Sequence, residues 1–378
     1  MREGWEYKRL GELCDIVMGQ SPMGNSINEN NGIEFHQGKT NFGDKFLMES
    51  GIYTTSPIRI AEKKTILLCV RAPVGIINIT ERQVCIGRGL SSLKPRLGLE
   101  LLYLYYCLLS KQNYFESNST GSTFKAISSK VINNTIIQFP SKSTQLSIVS
   151  ELDKLNELIR IKKEQLKDYD TLAQSIFYEM FGDPVENEKG WEVKTFGECF
   201  SIGAGGTPST KVKEYWDNGT IPWIGSNMCQ NCIITETDGK FITEEGLTHS
   251  STKLLALGTV LVALVGATIG KVGLLRIETC TNQNVAFIKV QETETFTSEF
   301  VYYHLMGLYG EFMKIGQGNF KMANQRFIKL LPISLPPLPL QQSFAQKIEQ
   351  IEQQKAAIQK TITDLETLLA ARMQYWFD

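Results

Sequence analysis

Two short stretches of the sequence come close to known chemical motifs without completing them. Residues 266–271 read GATIGK, one residue short of the spacing of a phosphate-binding loop, and Val272 stands where Ser or Thr would bind magnesium. Cys229 and Cys232 form a CxxC pair with no second pair at zinc spacing, which favours free thiols over a metal site. Neither stretch predicts a bound nucleotide or metal.

The chain contains one long sequence repeat. Residues 4–12, GWEYKRLGE, return as residues 190–198, GWEVKTFGE, with six of nine positions identical. The separation grows from 186 residues here to 196 residues between 124–125 and 320–321, as expected when insertions fall in loops. Convergent β-rich composition is the alternative explanation, but self-similarity that persists along the chain predicts a duplicated structural unit.

The repeat does not carry a catalytic arrangement. His36, His249 and His304 lie far apart and occupy no repeated position, so each is expected to be an ordinary surface or core residue. No Ser-His-Asp arrangement and no pair of carboxylates recurs in both halves, although a duplicated catalytic domain should repeat its chemistry. The sequence therefore predicts no catalytic residue, no metal and no cofactor in this chain.

Each copy ends in a long apolar pattern with helical spacing. Apolar residues recur every three or four positions after Gln145 and again after Gln341, and prolines precede both stretches. Such heptads predict two helices of about 38 residues, roughly 57 Å long, packed antiparallel against each other. Helices that join two copies of the chain are the alternative. The predicted seam between the helices consists of Ile148, Leu152, Leu155, Ile159, Leu166, Tyr169, Ile176, Phe344, Ile348, Ile351, Ile358, Ile362, Leu365, Leu369 and Trp376.

The regions before the helices have the pattern of β-rich domains. Residues 65–70 and 260–265 are short apolar runs with β-branched residues, and each leads through a glycine-containing turn into a second apolar run. A short helix is expected over 101–109 and again over 300–308. The predicted fold class is α+β: two repeated β-rich domains joined by two long antiparallel coiled-coil-like helices, pseudo-twofold, with the second helix returning to the first domain. The predicted bounds are 1–140 for the first domain, 141–182 for the first helix, 183–337 for the second domain and 338–378 for the second helix.

The charge is distributed unevenly along the chain. The net charge is −1, but residues 1–142 carry 17 Lys and Arg against 12 Asp and Glu, whereas residues 183–337 carry 13 against 16. If such a chain binds nucleic acid, a partner is expected to supply further positive charge. The eight cysteines are scattered, and the longest apolar run, between Lys253 and Lys271, is too short to span a bilayer. We expect no signal peptide, no membrane span and a reduced, cytoplasmic setting.

Six short segments and one glutamine together resemble a known family. The segments are 71–75 (RAPVG), 87–90 (GRGL), 241–247 (FITEEGL), 258–262 (GTVLV), 266–273 (GATIGKVG) and 335–338 (LPPL), the last followed by Gln341. Their order, their duplication and the two helices resemble the specificity subunits of type I restriction-modification systems, whose target-recognition domains read DNA. The resemblance covers nearly the whole chain.

The resemblance implies a non-catalytic DNA-binding subunit. Each domain would read one half of an asymmetric two-part target in double-stranded DNA, and the helices would set the gap between the halves. The implied partners are two modification (methyltransferase) subunits, which would carry S-adenosylmethionine and methylate adenine, and, in restriction complexes, a translocating nuclease subunit. The chain lacks the Asn/Asp-Pro-Pro-aromatic tetrapeptide of an adenine methyltransferase, because Leu335 and Leu338 flank its Pro-Pro pair.

Base reading is assigned to polar and basic loop residues at broadly equivalent places in the two copies. Arg binds guanine with two hydrogen bonds and Asn or Gln binds adenine, whereas Lys more often holds phosphate. The paired Lys125 and Lys321 are therefore expected to position the DNA backbone. The predicted DNA-binding residues are Gln20, Ser21, Lys39, Arg71, Arg88 and Lys125 in the first copy, and Thr207, Ser209, Asn227, Lys271, Gln283 and Lys321 in the second.

Two other functions stay open on the sequence alone. One is the recognition subunit of a fused restriction-methylation enzyme. The other is a two-headed scaffold that holds two proteins and binds no DNA, which the weak net charge favours. Salt-dependent DNA binding in the presence of the methyltransferase partner would distinguish DNA reading from the scaffold.

Overall fold

The computed structural model describes residues 4–121, 125–315 and 322–378, and the chain divides into two units. Unit 1 combines Met1–Lys163 with Lys360–Asp378, whereas unit 2 is the continuous stretch Glu164–Gln359. Unit 1 is therefore built from both ends of the sequence.

An antiparallel sheet forms the centre of unit 1. Thr65–Cys69 is buried along its whole length, which explains why this strand is a continuous apolar run. Helix Leu101–Ser110 packs on the sheet and buries Tyr103 and Leu104 completely. Among the described residues, the strands of this main sheet are, in spatial order, Cys14–Met18, Leu90–Pro95, Thr65–Cys69 and Ile77–Thr80.

A second sheet in unit 1 consists of strands of only two to four residues. It includes a parallel pair, Ile33–His36 with Val84–Ile86, and its apolar residues share a small core with the main sheet. In spatial order its strands are Ile27–Asn28, Tyr53–Thr54, Ile33–His36, Val84–Ile86 and Ile60–Ala61. The further elements of unit 1 are the strand pair Glu6–Arg9 and Ile136–Phe139 and the helices Leu10–Leu13, Gln112–Ser117 and Ser129–Asn134.

Unit 2 repeats the plan of unit 1 with differences at its periphery. Val260–Ala263 and Val272–Leu275 form the expected buried antiparallel pair, and helix Ser298–Gly307 packs on it. Cys232–Ile234 adds a parallel edge strand. The main sheet, in spatial order and within the described residues, is Ser201–Ala204, Val285–Lys289, Val260–Ala263, Val272–Leu275 and Cys232–Ile234. The further elements are the sheet Phe241–Ile242, Ile221–Ile224 and Cys280–Thr281, the strand pair Val193–Thr195 and Pro332–Ser334, and the helices Phe196–Cys199, Glu244–Thr248, Tyr309–Met313 and Gln325–Leu330.

The two long helices, Lys142–Phe181 and Leu338–Phe377, have 40 residues each. In unit 1, Glu151 pairs with Arg372, and Lys163 lies 2.8 Å from Glu366. In unit 2, Asp170 lies 2.8 Å from Lys355. Within each unit, low numbers on one helix meet high numbers on the other, so the helix segments run antiparallel.

The residues predicted for the seam are all buried or half-buried. Phe344 contacts Phe177 and Phe181 of the other long helix, with ring centroids 5.6 and 5.3 Å apart. The predicted α+β class, with two repeated β-rich domains and two long antiparallel helices, is confirmed. That every member of the predicted seam contributes to helix pairing stays a prediction.

A buried glutamine joins each domain to the helix that follows it. In unit 1, the Gln145 amide donates to the carbonyls of Gly98 and Pro140, both at 3.0 Å, and accepts from the Glu100 N–H at 2.9 Å. Because these three backbone groups lie on either side of the domain exit, the side chain fixes the direction in which the helix leaves.

Gln341 repeats this pattern in unit 2. Its amide donates to the carbonyls of Thr295 and Pro336, at 3.1 and 2.9 Å, and accepts from the Thr297 N–H at 3.0 Å. Both glutamines are fully buried. The joint between domain and helix is therefore duplicated bond by bond.

The end of the second helix completes the core of unit 1. Phe377 is fully buried, its ring centroid is 5.6 Å from that of Tyr103, and its carbonyl accepts from the Gln138 amide at 2.9 Å. Trp376 stacks on Trp5 with 6.2 Å between ring centroids. The prediction that the second helix returns to the first domain is confirmed.

Candidate nucleic-acid interface

Three strands of the main sheet in unit 1 terminate at the same edge. Met18, the last residue of one strand, pairs with Ser91, and Cys69, the last residue of another, pairs with Leu90. Because neighbouring strands are antiparallel, the segments that follow Met18 and Cys69 and the segment that precedes Leu90 leave the sheet together. All six residues predicted for the first copy lie in or beside these segments, and we call them the polar edge of unit 1 (Gln20, Ser21, Lys39, Arg71, Arg88, Lys125).

Backbone hydrogen bonds tie the first segment to the turn before Leu90. The Gln20 N–H donates to the carbonyl of Ile86 at 3.0 Å, and the Arg88 N–H donates to Ser21 Oγ at 3.4 Å. Gln20, Ser21 and Arg88 are therefore neighbours, although almost seventy residues separate them in the sequence.

Arg71 and Lys125 lie on two paired segments next to that turn. The Ala72 N–H donates to the carbonyl of Lys125 at 3.0 Å, and the Val70 N–H donates to the carbonyl of Gly89 at 2.9 Å. Arg71 itself is bridged to Ala126. The polar edge thus continues without a break from Arg88 to Lys125.

Lys39 reaches the same edge from the second sheet. Burial raises the pKa of the Cys69 thiol to about 12, and the charge of Lys39 is close enough to act against that increase. Glu34, in the strand that precedes Lys39, is tied to two other segments, because its carboxylate accepts from Arg82 Nη2 at 2.9 Å and from the Ser50 N–H at 2.6 Å. Burial raises the pKa of Glu34, but these bonds lower it to about 2, so the carboxylate stays ionised.

The four cations of this edge are exposed, and across residues 4–121 and the other described ranges none of them forms a salt bridge. Four unpaired positive charges on one edge favour an anionic polymer, because each phosphate neutralised releases a counterion. The edge also offers a glutamine amide and a serine hydroxyl, which can hydrogen-bond to base edges.

Unit 2 has an equivalent edge, which we call the polar edge of unit 2 (Thr207, Ser209, Asn227, Lys271, Gln283). Thr207 follows the strand Ser201–Ala204, and its hydroxyl donates to Gln283 Oε1 at 2.5 Å. The Gly206 N–H donates to the carbonyl of Thr281 at 2.8 Å, which holds this strand exit against the end of strand Cys280–Thr281. Lys321, the sixth residue predicted for this copy, lies outside the described residues.

A residue that the sequence analysis missed links two members of this edge. Lys271 Nζ donates to Gln230 Oε1 at 2.7 Å, and Gln230 Nε2 donates to the carbonyl of Asn227 at 3.2 Å. Gln230 is exposed and lies between Cys229 and Cys232, a sequence pattern that indicates metal chemistry rather than a hydrogen-bonding amide. Ser209 is exposed, and its carbonyl accepts from Trp216 Nε1 at 3.2 Å.

The two polar edges have the same position in their units and different chemistry. The edge of unit 1 is dominated by free Lys and Arg, whereas in unit 2 hydroxyl and amide groups are bonded to one another and the described lysine is half-buried. A duplicated surface with unlike side chains is suited to contacting two unlike targets in one manner.

The enzyme-like fragments are structural in this fold. Residues 266–268 form one 3-10 turn between two main-sheet strands. Cys229 is fully buried, and burial raises the pKa of its thiol, while the Cys232 thiol donates to the carbonyl of Met228 at 3.3 Å. Within the described part of the chain, no group of three or more His, Cys, Asp or Glu is arranged to hold a metal ion.

The three histidines divide as ordinary core and surface residues. His36 and His304 are buried at 2% and 1% exposure, and His249 is exposed. None of the helices that the structure describes combines the length and the apolar character that crossing a bilayer requires.

The two domains have the same fold, and each carries a polar surface at the same end of its main sheet, with different side chains. This arrangement defines a class of proteins with two duplicated binding domains. The sequence matches the family described as type I restriction modification DNA specificity domain over residues 2–168 and again over residues 188–367. The chain belongs to this family.

Two relatives come from Methanocaldococcus jannaschii. The putative type I restriction enzyme MjaX specificity subunit is 34% identical over 178 residues, which are 46% of this chain and 42% of that protein. The type I restriction enzyme MjaIX specificity subunit is 27% identical over 285 residues, which are 66% of this chain and 63% of that protein. The chain therefore spans between 42% and 63% of the length of these two relatives.

Solved structures share the fold over the whole chain. The type I restriction-modification S subunit from M. genitalium covers 99% of this chain and 96% of its own, with a TM-score of 0.57 and 18% identity. A chain from a structure concerned with complex assembly and conformational transition of the type I R-M system covers 100% and 98%, with a TM-score of 0.66 and 19% identity. At these identities the likeness concerns the fold.

Proposed function

We propose that this protein is the non-catalytic subunit that gives a DNA methyltransferase complex its sequence specificity. The observation that carries the proposal is the convergence of Gln20, Ser21, Lys39, Arg71, Arg88 and Lys125 from separate segments onto one edge, repeated with different side chains in unit 2. Each unit would contact one half of a two-part DNA target, and the unlike edges would read unlike half-sites.

The side chains divide by what they can contact. Lys39 and Lys125 hold phosphate, because an ammonium group offers charge without a fixed hydrogen-bonding plane. Arg71 and Arg88 can bind guanine with two parallel bonds, and Gln20 can bind adenine with its amide. In unit 2, Asn227 and Gln283 take the amide role, and Lys271, held by Gln230, would contact phosphate.

The two long helices have a separate role in the proposal. They pass from one unit to the other, so their length would set the number of unread base pairs between the half-sites. Each pair of antiparallel segments would dock one modification subunit, which brings S-adenosylmethionine and transfers the methyl group. A restriction subunit that translocates DNA would join where the system contains one.

Relatives named as specificity subunits of type I restriction enzymes support this function. They do not favour a protein scaffold without DNA. A fused restriction-methylation enzyme is also not favoured, because the matches are to separate specificity subunits.

The test is methylation mapping in a host without other adenine methylation. The chain is co-expressed with its methyltransferase partner, and N6-methyladenine is mapped across the genome. We expect one asymmetric motif with a fixed internal gap, which disappears when this chain is omitted.

A variant of one edge sharpens the test. Arg88→Ala should relax one base in one half-site and leave the other half-site unchanged, whereas Gln283→Ala should affect the other half. A methyltransferase whose motif is independent of this chain, or a variant that alters both half-sites equally, contradicts the proposal.

A further inference from the structure

Each unit presents a pair of adjacent tyrosines from equivalent helices. Tyr105 and Tyr106 belong to Leu101–Ser110, and their ring centroids are 5.5 Å apart with the planes at 74°. Tyr302 and Tyr303 belong to Ser298–Gly307, and their ring centroids are 5.0 Å apart at 88°. All four residues are buried. The repeat therefore includes an edge-on tyrosine pair in the same place of each unit.

In unit 1 the chain itself covers this pair with a lysine. Lys45 Nζ lies 5.5 and 5.1 Å from the ring centroids of Tyr105 and Tyr106 and donates to Asp153 Oδ1 at 2.7 Å. The Tyr106 hydroxyl donates to the same carboxylate oxygen at 2.5 Å and accepts from the Asn156 amide at 3.1 Å. The ammonium group is thus held by a carboxylate and the faces of two aromatic rings.

In unit 2 the corresponding pair lines a cavity of about 360 Å³. Tyr302 is 2% exposed and Tyr303 is 7% exposed. Within the described ranges, neither hydroxyl forms a hydrogen bond to another protein group. Neither oxygen is among the buried side-chain atoms without a partner in the described ranges, so both hydroxyls open onto the cavity and are available to a ligand.

The charges around the cavity favour a cation. Lys355 lies 2.8 Å from Asp170 and 3.0 Å from Glu352, so one lysine is shared between two carboxylates. Glu352 takes the place in the repeat of Asn156, which in unit 1 bonds to the tyrosine hydroxyl. The cavity therefore keeps one negative charge in excess, next to two tyrosine rings.

We propose that this cavity binds a primary ammonium group, in the place that Lys45 fills in unit 1. The shared chemistry is an –NH₃⁺ group on a short alkyl chain, whose three donors can reach Glu352 and the tyrosine hydroxyls. Such a group is available from a free aliphatic amine or from a lysine side chain of a partner subunit.

The probe is n-butylammonium, which matches a lysine side chain, titrated into the full-length chain and followed by ligand-observed NMR. We expect saturable binding with a Kd in the millimolar range. Tyr302→Phe, which keeps the ring, and Glu352→Gln should each weaken binding at least fivefold. The matched control is Glu278→Gln, which removes the same charge from an exposed position that does not line the cavity and should leave binding unchanged.

A second arm separates the two sources of the ammonium group. The titration is repeated on the assembled complex with the methyltransferase partner. Exclusion of n-butylammonium from the complex assigns the cavity to a partner lysine, whereas unchanged binding assigns it to a free amine. No saturable binding, equal binding of neutral 1-butanol, or full binding in both cavity variants overturns the proposal. DNA specificity is measured separately by methylation mapping, so a failure here leaves the DNA-reading function untouched.

Discussion

Lys125 and Arg88 stand side by side on one edge of unit 1, but their chemistry assigns them different tasks. Both are exposed and unpaired within the described residues. An ammonium group attracts phosphate regardless of sequence, whereas a guanidinium plane can match the two acceptors of guanine. Lys125 should therefore contribute mainly to DNA affinity, and Arg88 mainly to sequence specificity.

We expect Lys125→Ala to weaken binding of the complex to all DNA sequences alike. A plot of the logarithm of the binding constant against the logarithm of the salt concentration has a negative slope. We expect the magnitude of this slope to fall by about 0.9, because one phosphate contact is lost. Fluorescence anisotropy at several salt concentrations measures both quantities. Lys130→Ala is the control, because Lys130 is exposed on helix Ser129–Asn134, which packs on Leu10–Leu13 at the opposite end of the main sheet. An unchanged salt slope for Lys125→Ala would exclude a phosphate contact.

His304 makes the stability of unit 2 depend on pH. Burial lowers its pKa to about 4 and outweighs the bond from Nε2 to the carbonyl of Pro332, whereas in the unfolded chain the pKa is near 6.5. The folded state therefore binds this proton less readily. The contribution of His304 is fully present above pH 6.5 and is lost as pH falls from 6.5 towards 4.

We expect the free energy of unfolding to fall by up to roughly 3 kcal/mol over that pH window because of this residue. His304→Gln, which keeps a donor for the Pro332 carbonyl, should flatten the dependence in urea titrations between pH 4 and 8. His249→Gln is the control, since His249 is exposed and should leave the slope as it is. Equal slopes in the wild type and in His304→Gln would contradict the assignment.

At the scale of elements, the two buried glutamines decide how the helices leave their domains. Replacing Gln145 by alanine leaves two carbonyls and one N–H without their partner. We expect Gln145→Ala and Gln341→Ala each to destabilise its own unit by at least about 2 kcal/mol, because each stranded buried group costs about 1–3 kcal/mol.

Hydrogen exchange, read separately for peptides of each unit, measures this effect. Gln374→Ala serves as the comparison, because Gln374 is exposed on the second long helix and should change stability by less than about 0.5 kcal/mol. If the two buried glutamines behave like Gln374, the joint is held by the surrounding apolar contacts instead.

The long helices and the central strands could be predicted because their patterns extend over many residues. Val260–Ala263 pairs with Val272–Leu275 as the apolar runs indicated, and Lys142–Phe181 begins one residue after the position expected from the sequence. The second sheet of unit 1 could not be predicted. Strands such as Ile27–Asn28 are too short to show a period, and the parallel partner of Ile33–His36 is some fifty residues away.

The candidate site shows the same division. That Gln20, Arg71 and Arg88 lie at strand ends follows from the turn signals around them. Their convergence depends on strand order, which only the pairing of Ser91 with Met18 and of Leu90 with Cys69 reveals. The hydrogen bond from Lys271 to Gln230 joins residues about forty positions apart. No local sequence pattern could have predicted it.

At the scale of the whole molecule, the helices are the feature that can be lengthened without altering either polar edge. Inserting one heptad into both helices, after Lys163 and after Gln359, keeps the apolar register and adds roughly 10 Å, or about three base pairs of DNA. We expect the same two half-sites, now with a gap about three base pairs longer, when N6-methyladenine is mapped.

The control is a heptad inserted into only one of the helices. Their facing residues then no longer match, and methylation should be lost altogether. A double insertion that still methylates the original motif with its original gap would show that the helices do not set the spacer.

Unit 1 is completed by residues from the far end of the chain, and this fixes the order of events during synthesis. Phe377 and Trp376 emerge from the ribosome only after the whole of unit 2, Glu164–Gln359, has been made. At roughly 5–20 residues per second, that interval lasts about 10–40 s. During it the nascent first domain carries an open apolar surface around Tyr103 and Trp5, while unit 2, which is continuous in sequence, has all its residues available. The domain translated first is therefore the last to finish folding.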